Sequence, residues 1–228
     1  MSLKREPILG VLMLKTGFPR PPGDVGNPQT WSCTTRYKVV EPANVDSVVN
    51  SGPLPIPLLK AFVDAGWALV GEGATLITTS CGFLVTAQKT LQDALPVPVV
   101  TSSLLQVAAV QATLPPGRRV GVLTFDAERL SSWHMEAAGA PADTAVVGLA
   151  TGSELHRVVT GDLSDLDVAG AEAAVLAAGR RLLASWPDIG AVVLECTNMP
   201  PYRDALAREL GLPVHDLVTL IEGRIATR

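Results

Sequence analysis

Two stretches of the sequence decide the fold, and each is an apolar run that ends at a cysteine. They read ATLITTSCGFL at residues 74–84 and IGAVVLECTNMPP at residues 189–201. Apolar runs without strict alternation are typical of strands that are buried on both faces of a parallel sheet. The residues that follow each run are compatible with the start of a helix. Both Cys81 and Cys196 are therefore predicted at a strand-to-helix turn, at the carboxyl edge of a sheet.

The rest of the chain continues this alternation. Apolar runs predict strands at 8–14, 75–79, 97–100, 119–124, 144–149 and 191–195. Apolar residues at three- and four-residue spacing predict helices at 56–65, 82–95, 127–138, 169–185 and 201–210. Short strands that alternate with helices indicate an α/β fold with mainly parallel sheets.

A weak internal repeat indicates that the chain contains two similar halves. Gly-Val-Leu at 10–12 recurs 111 residues later, and Pro-Val at 98–99 recurs 115 residues later. Cys196 also follows Cys81 by 115 residues, and the three matches keep the same order. Self-similarity of this kind is a signature of duplicated structural units.

The predicted architecture is two pseudo-symmetric α/β lobes, each a mainly parallel sheet flanked by helices, with the site in the cleft between them. Residues 1–103, completed by 216–228, are expected to form the first lobe, and residues 104–215 the second. A segment rich in Pro and Gly, residues 15–31, follows the first strand. It is either a ligand-binding loop or a mobile surface loop.

Composition describes a globular chain without a footprint for nucleic acid or membranes. The 228 residues are 47% hydrophobic and 18% charged, with a net charge of −4 and 18 Lys+Arg that form no basic cluster. No apolar run reaches roughly 18 residues, so no membrane-spanning helix is expected. Three cysteines, an odd number, do not fit a disulfide framework and favour a reduced, cytoplasmic protein.

Motifs for several common chemistries are absent. The sequence contains no Gly-x-x-x-x-Gly-Lys-Ser/Thr phosphate loop, no Gly-x-Ser-x-Gly nucleophile turn and no complete glycine motif for dinucleotides. The three histidines are isolated and there is no Cys-x-x-Cys, so no metal site is predicted. These absences argue against phosphate-loop, dinucleotide, serine-hydrolase and metal chemistry.

The predicted position of the two cysteines has a chemical consequence. N–H groups at a helix N-terminus lower a thiol pKa from about 8.5 toward roughly 3.5–7.5, and they can bind a carboxylate. Gly82 leaves room for a ligand beside Cys81. Two facing lobes would set one sulfur on each side of a cleft, which suits removal of a proton from one face of a carbon and its return to the other. The alternative is that both cysteines are ordinary core residues.

The motifs TTSCGFL at 78–84 and LECTNMP at 194–200 resemble the two cysteine motifs of the aspartate/glutamate racemase superfamily. Further segments follow in the order of that family, at 10–12, 97–106, 121–124 and 212–216. The resemblance covers nearly the whole chain. It implies two pseudo-symmetric α/β lobes and cofactor-independent deprotonation and reprotonation of a small carboxylate-bearing substrate, with Cys81 and Cys196 as the acid/base groups.

The chain departs from the family pattern after each cysteine. Gly82-Phe83 stands where glutamate and aspartate racemases of the family commonly have Asn-Thr, and Asn198 stands where glutamate racemases have His. These departures argue against glutamate as the substrate. The presence of both cysteines favours a racemase or epimerase, because the arylmalonate decarboxylases of the superfamily keep only the second.

Polar or small residues beside the two motifs and in the 15–31 segment are candidate substrate-binding residues. They are Thr79, Ser80, Gly82, Ser102, Thr124, Thr197 and Asn198 and, from the segment, Asp24 and Asn27. Glu195 is either a strand-end residue or a group that tunes Cys196 and orients a substrate amine. His215 is either a core histidine or one that reaches the cleft, and Cys33 is expected to be structural.

The sequence thus predicts a cytoplasmic racemase or epimerase, independent of pyridoxal phosphate, that acts on a small amino acid or related carboxylate. The alternatives are a thiol-dependent cis–trans isomerase or decarboxylase on the same scaffold, or a non-catalytic two-lobed binding protein for small molecules. No nucleic-acid or membrane partner is expected. The substrate and the oligomeric state stay open, a homo-oligomer being one option.

Overall fold

The computed structural model describes residues 6–227, and its first half contains a four-stranded parallel sheet. The strands are β1 (Ile8–Leu14), β2 (Thr34–Val40), β3 (Leu76–Thr79) and β4 (Val99–Val100), in the spatial order β2-β1-β3-β4. The helices of this half are α1 (Val45–Val48), α2 (Ile56–Gly71), α3 (Gln88–Ala94) and α4 (Val107–Gln111).

The second half repeats this strand order in a second parallel sheet. Its strands are β5 (Arg119–Thr124), β6 (Ala145–Gly148), β7 (Ile189–Leu194) and β8 (Val214–His215), in the order β6-β5-β7-β8. Its helices are α5 (Ser132–Ala137), α6 (Glu154–Gly161), α7 (Val168–Ser185), α8 (Arg203–Leu210) and α9 (Leu217–Ala226). The predicted fold of two α/β lobes with parallel sheets is confirmed. Among residues 6–227 no helix is long and apolar enough to cross a membrane.

The repeated Gly-Val-Leu triplet has the same packing role in both sheets. A Cβ on Gly10 of β1 would lie 3.1 Å from Leu69 of α2, and a Cβ on Gly121 of β5 would lie 2.6 Å from Leu182 of α7. Each glycine therefore allows one helix to pack directly on the central strand of its sheet. A larger residue would overpack the contact between helix and strand.

The last helix returns to the first sheet. Leu217, Val218 and Ile221 of α9 share a buried apolar cluster with Leu9 of β1 and Leu76 of β3. The lobe boundaries near residues 103 and 215 stay a prediction. The first five residues and the last residue of the predicted first lobe lie outside the described residues.

Several elements differ from the sequence prediction. The edge strand β2 was not predicted, because its residues are mostly exposed or half-buried and form no apolar run. The helix predicted at 127–138 begins only at Ser132, and the helix predicted at 82–95 begins as a 3₁₀ segment, Gly82–Ala87, before α3. No helix begins at Cys196, since α8 starts at Arg203 after a 3₁₀ turn. Pro200 and Pro201 occupy that 3₁₀ turn, Pro200–Tyr202, which comes directly before α8.

The 15–31 segment packs against the second lobe. Gly23 has a φ of +100°, and a Cβ there would lie 2.8 Å from the backbone of Pro201. The N–H groups of Gly17 and Phe18 donate to the carboxylate of Asp162, just after α6, at 2.6 and 3.0 Å. These contacts hold the segment against the second lobe, which argues against a mobile surface loop, and its role in binding a ligand stays a prediction.

Candidate active site

The carboxyl ends of β3 and β7 approach each other across the cleft, and the turns that follow them enclose one cavity. We call residues 80–83 the first cysteine turn and residues 195–198 the second cysteine turn. All eight residues of these two turns line the cavity, and Phe18 and Arg20 of the 15–31 segment cover it. Its volume is about 30 Å³. That volume holds one or two water molecules, so the cleft between the lobes is closed in this structure.

Cys81 lies in a mainly apolar part of the cavity wall. Its side chain is buried, and its backbone is extended at the start of the 3₁₀ segment. Burial, and then the charge of Glu195, raise the pKa of the Cys81 thiol to about 12. The N–H groups of Phe83 and Leu84 act in the opposite direction and lower that pKa. The predicted lowering of the thiol pKa is therefore wrong, because burial outweighs the backbone N–H groups.

Cys196 is buried as well, but it has a polar side-chain partner. Its Sγ donates to Oδ1 of Asn198 at 3.6 Å. Burial, and then the Glu195 carboxylate, raise the pKa of the Cys196 thiol well above its ordinary value. The backbone N–H of Asn198 opposes this shift. The prediction of a low thiol pKa is wrong here too, and for the same reason.

A charged pair from the 15–31 segment fixes the orientation of Asn198. Its Nδ2 donates to Oδ2 of Asp24 at 2.7 Å, and Oδ1 of Asp24 accepts from Nη1 of Arg20 at 2.9 Å. Because a carboxylate can only accept, the amide nitrogen of Asn198 faces Asp24 and its oxygen faces the Cys196 thiol. The guanidinium of Arg20 also lies over the ring of Phe18, 4.5 Å from its centroid.

A hydrogen bond ties the two cysteine turns together. Oγ1 of Thr197 donates to the carbonyl of Ser80 at 2.6 Å. Oγ of Ser80 in turn accepts from the N–H of Leu14, at the end of β1, at 2.9 Å. The distance between the two turns in the closed state is therefore set by side chains of both lobes.

Glu195 is an ionisable group buried beside both thiols. Its Oε2 accepts from Oγ1 of Thr124 at 2.7 Å, whereas its Oε1 is buried and has no hydrogen-bond partner among residues 6–227. Burial raises the pKa of Glu195 to about 7, against the opposing effects of Thr124 and the N–H of Phe125. Glu195 directly follows β7 and also lines the cavity, where burial and then its charge raise the pKa of Cys196; a role in orienting a substrate amine stays a prediction.

Comparison with known proteins identifies the family to which this fold belongs. A family model described as Asp/Glu/Hydantoin racemase matches residues 60–221. The chain belongs to the Asp/Glu/hydantoin racemase family. The resemblance identified in the sequence is thereby confirmed.

Curated proteins with sequences similar to this chain are named as lyases. A dimethylsulfoniopropionate lyase of Durusdinium sp. clade D is 29% identical over 217 residues, which cover 92% of this chain and 71% of that protein. Dimethylsulfoniopropionate lyase 3 of Emiliania huxleyi is 30% identical over 230 residues, which cover 97% of this chain and 60% of that protein. The chain thus spans between three fifths and three quarters of the length of these relatives.

Solved structures of the family share the fold. A cysteine-substituted mutant of arylmalonate decarboxylase aligns with a TM-score of 0.61 at 20% identity, over 92% of this chain and 87% of that one. Allantoin racemase from Pseudomonas fluorescens aligns with a TM-score of 0.58 at 15% identity, over 96% and 89%. A glutamate racemase from Bacillus anthracis aligns with a TM-score of 0.54 at 16% identity, over 98% and 83%. At these identities the likeness concerns the fold alone.

The structure brings together part of the predicted site. The predicted residues that line the cavity are Ser80, Cys81, Gly82, Cys196, Thr197 and Asn198. Asp24 and Thr124 lie behind it, where they bind Asn198 and Glu195.

Three predicted substrate-binding residues lie elsewhere. Thr79 donates to the carbonyl groups of Cys81 and Thr101, and Ser102 accepts from the N–H of Leu104. Asn27 donates to the carbonyl of Arg20 and caps a 3₁₀ turn. Each of these side chains is engaged with backbone and does not line the cavity.

Four further residues of the cavity wall were not predicted as site residues from the sequence. Phe18, Arg20, Phe83 and Phe125 all line it. The only sequence signal for Arg20 was its place in a loop that follows the first strand, at the edge where ligands of α/β sheets bind. His215 and Cys33 do not line it. Within residues 6–227 no group of three or more His, Cys, Asp and Glu side chains is arranged to hold a metal ion.

Proposed function

We propose that this protein is an enzyme of carbon acids, which moves a proton at the carbon next to the carboxylate of a small substrate. Cys81 and Cys196 are its acid/base groups. The observation that carries the proposal is that two thiols from equivalent strand ends line one cavity. Positioned acid/base side chains typically accelerate such steps by about 10²–10⁴-fold.

Hydrogen bonds support different roles for the two thiols. The N–H groups of Phe83 and Leu84 partly oppose the burial that raises the pKa of Cys81 to about 12, and we assign Cys81 as the base for this reason. The Sγ of Cys196 donates to Oδ1 of Asn198, which favours the protonated thiol, so Cys196 is the acid. Substrate has to open the cavity first, because about 30 Å³ does not accommodate it.

The cavity wall supports a substrate that carries both a carboxylate and an apolar or cationic group. Arg20 uses Nη1 and Nη2 for Asp24 and Thr16, which leaves further N–H donors for a substrate carboxylate. Phe18, Phe83 and Phe125 supply aromatic surface. Aromatic faces attract cations such as quaternary ammonium groups, and a sulfonium group has the same charge.

For the reaction class we infer β-elimination, because the curated relatives are named as lyases. Their names, dimethylsulfoniopropionate lyase, support a substrate of this class for the present chain. In such a reaction the Cys81 thiolate takes the proton next to the carboxylate. The carbon–sulfur bond then breaks with its electron pair going to sulfur, so that dimethyl sulfide leaves and acrylate remains.

Racemisation or epimerisation is the second candidate, and the second thiol favours it. Elimination needs one thiol at the reacting carbon, whereas inversion needs a base on one face and an acid on the other. The shared cavity of Cys81 and Cys196 supplies both.

A substrate panel tests the proposal and separates the two candidates. Purified protein is incubated with dimethylsulfoniopropionate, with aspartate and with a substituted hydantoin, and the products are followed by proton NMR and chiral chromatography. We expect acrylate and dimethyl sulfide from the first compound. The double variant Cys81→Ser/Cys196→Ser is expected to be inactive, and Cys33→Ser, the matched control, to retain activity.

The other outcomes are equally informative. Loss of optical purity of aspartate or the hydantoin, without elimination, would assign the second candidate. Full activity of the double variant would overturn the proposal, as would the absence of any reaction across the panel.

A further inference from the structure

The second cysteine turn holds a carboxyl group that the proposed reaction does not yet use. The Glu195 side chain is 1% exposed and lines the cavity that both thiols line. Its Oε1 is buried without a hydrogen-bond partner among the described residues. A buried polar atom left in this way is rare in folded proteins and points to a partner that arrives with a ligand.

The first cysteine turn is shaped to admit this carboxyl group. A Cβ at position 82 would collide with both the Oε1 and the carbonyl of Glu195. Gly82 does not have a left-handed backbone, so its conformation alone does not require glycine. The absence of a side chain at 82 therefore serves to bring the Glu195 carboxyl group to the cavity.

The surroundings of Glu195 favour its neutral form. The groups that face it are the hydroxyl of Thr124 on β5, the N–H of Phe125, and the thiols of Cys81 and Cys196. Arg20 is the cation nearest to the cavity wall, and it is paired with Asp24. Glu195 thus has no ion-pair partner of its own among residues 6–227.

The contacts of the carboxyl group identify which oxygen can serve a ligand. Oε2 lies 2.7 Å from Oγ1 of Thr124, whereas Oε1 has no partner among residues 6–227, so a proton on Oε1 is the one available to a ligand. A neutral carboxyl group in the wall of a small, mostly apolar cavity is an effective donor to an anion.

We propose that Glu195 binds the carboxylate of the substrate: in its protonated form, the Oε1–H group donates a hydrogen bond to that carboxylate. The same bond strengthens as negative charge builds on the carboxylate during removal of the neighbouring proton. An ionised Glu195 would instead repel the substrate in this poorly solvated cavity. The inference rests on the proposed function, since it requires a carboxylate substrate.

Proton uptake on binding is the property that distinguishes this role. Burial already raises the pKa of Glu195 to about 7, and a bound carboxylate raises that pKa further. Binding of a carboxylate therefore takes up one proton above neutral pH. Affinity should fall about tenfold per pH unit once free Glu195 is ionised.

The test is calorimetric titration with propionate, a probe that cannot undergo elimination, between pH 6 and pH 9. Runs in buffers of different ionisation enthalpy count the protons taken up. The wild-type protein is expected to bind propionate with uptake of one proton at pH 8. Glu195→Gln, which is neutral and keeps an N–H donor, is expected to bind without proton uptake and with an affinity that is constant across this range.

Three further variants keep the test sharp. Glu195→Met, which is neutral but has no donor, should bind propionate about tenfold more weakly than Glu195→Gln at every pH. Thr124→Val, which removes the donor to Oε2, should move the loss of affinity to higher pH. Glu136→Gln, at an exposed position, is the matched control and should behave as wild type. Circular dichroism checks that each variant is folded.

Each result decides the proposal. Binding without proton uptake by the wild-type protein would overturn it, as would an unchanged pH dependence in Glu195→Gln. If propionate binds to no form at any pH, then the carboxylate site of the proposed function fails together with this inference.

Discussion

The two cysteine turns occupy equivalent places in two similar sheets, yet their chemistry differs. In the first turn Gly82 and Phe83 follow Cys81, and the groups that favour its thiolate by hydrogen bonding are the backbone N–H groups of Phe83 and Leu84. The second turn is polar, and its Cys196 thiol has a side-chain acceptor in Asn198. A duplicated backbone has thus been given two different sets of side chains.

The difference indicates how one scaffold can divide acid and base functions. Backbone N–H groups stabilise an anion, whereas an amide oxygen stabilises a protonated thiol. The 15–31 segment increases this difference between the turns, because its Asp24 orients the amide of Asn198 in the second turn. Four predictions test whether the two turns are as different as this account requires.

The largest expected effect is on turnover. Cys81→Ser should lower turnover by about 10²–10⁴-fold, because a serine hydroxyl is a far weaker base at this position than a thiolate. Cys196→Ser should lower elimination much less, since elimination does not require the acid. Initial rates of both variants on the same substrate provide the measurement. Equal losses in the two variants would contradict a division of roles for a lyase and would favour racemisation.

The second prediction concerns pH and stability. The pKa of Glu195 is raised from 4.5 to about 7, so the folded protein holds a proton that the unfolded chain has lost in this window. That stabilisation is present below pH 4.5 and disappears as the pH rises through 7, with a magnitude of about 3 kcal/mol. Glu195→Gln should therefore gain thermal stability over the wild-type protein between pH 4.5 and 7. If the melting temperatures of the two proteins instead change with pH in the same way across this range, then the pKa of Glu195 is not raised by folding.

The third prediction tests the contact between the two turns. Gly82→Ala places a methyl group against the Glu195 carboxyl and should destabilise the fold by about 1–3 kcal/mol. Gly223→Ala, on an exposed face of α9 with open space around it, is the matched control and should be neutral or stabilising. Urea unfolding measures both variants. A neutral Gly82→Ala would mean that the Glu195 carboxyl is free to move away.

The smallest expected effect is on the reactivity of one thiol. Asn198→Ala removes the acceptor of the Cys196 thiol, so alkylation of Cys196 by iodoacetamide should accelerate by about 2–10-fold. Cys81 should be unaffected, and Cys33 serves as an internal reference. Mass spectrometry of the separate cysteine peptides gives the three rates. Equal acceleration at Cys81 and Cys196 would indicate a general opening of the cavity instead.

The parts of the fold that the sequence predicted are those with a local signal. The central strands are apolar because they are buried, and glycine recurs at 10 and 121 because a helix packs directly on the strand at each position. Strand β2 was not predicted, because it lies at an edge and is only partly buried. The helix predicted at 201–210 begins two residues later, at Arg203, because the chain between Cys196 and Tyr202 forms turns with three-residue backbone hydrogen bonds before the α-helix starts.

The candidate site was predictable where it follows a motif and not where it depends on tertiary contacts. The neighbours of each cysteine in sequence line the cavity as expected, whereas Phe18 and Arg20 reach it only because the 15–31 segment folds back across the cleft. The thiol pKa was predicted in the wrong direction. A sequence pattern shows the N–H groups of a turn, but it does not show the burial or the carboxyl of Glu195 that outweigh them.

The measurement that tests the central claim most directly is release of tritium from dimethylsulfoniopropionate labelled at the carbon next to the carboxylate. Release to water reports removal of that proton, whether or not elimination follows. The account predicts release by the wild-type protein and by Cys196→Ser, and none by Cys81→Ser. Tritium release by Cys81→Ser at the wild-type rate would contradict it, and so would a loss of tritium release that is confined to Cys196→Ser.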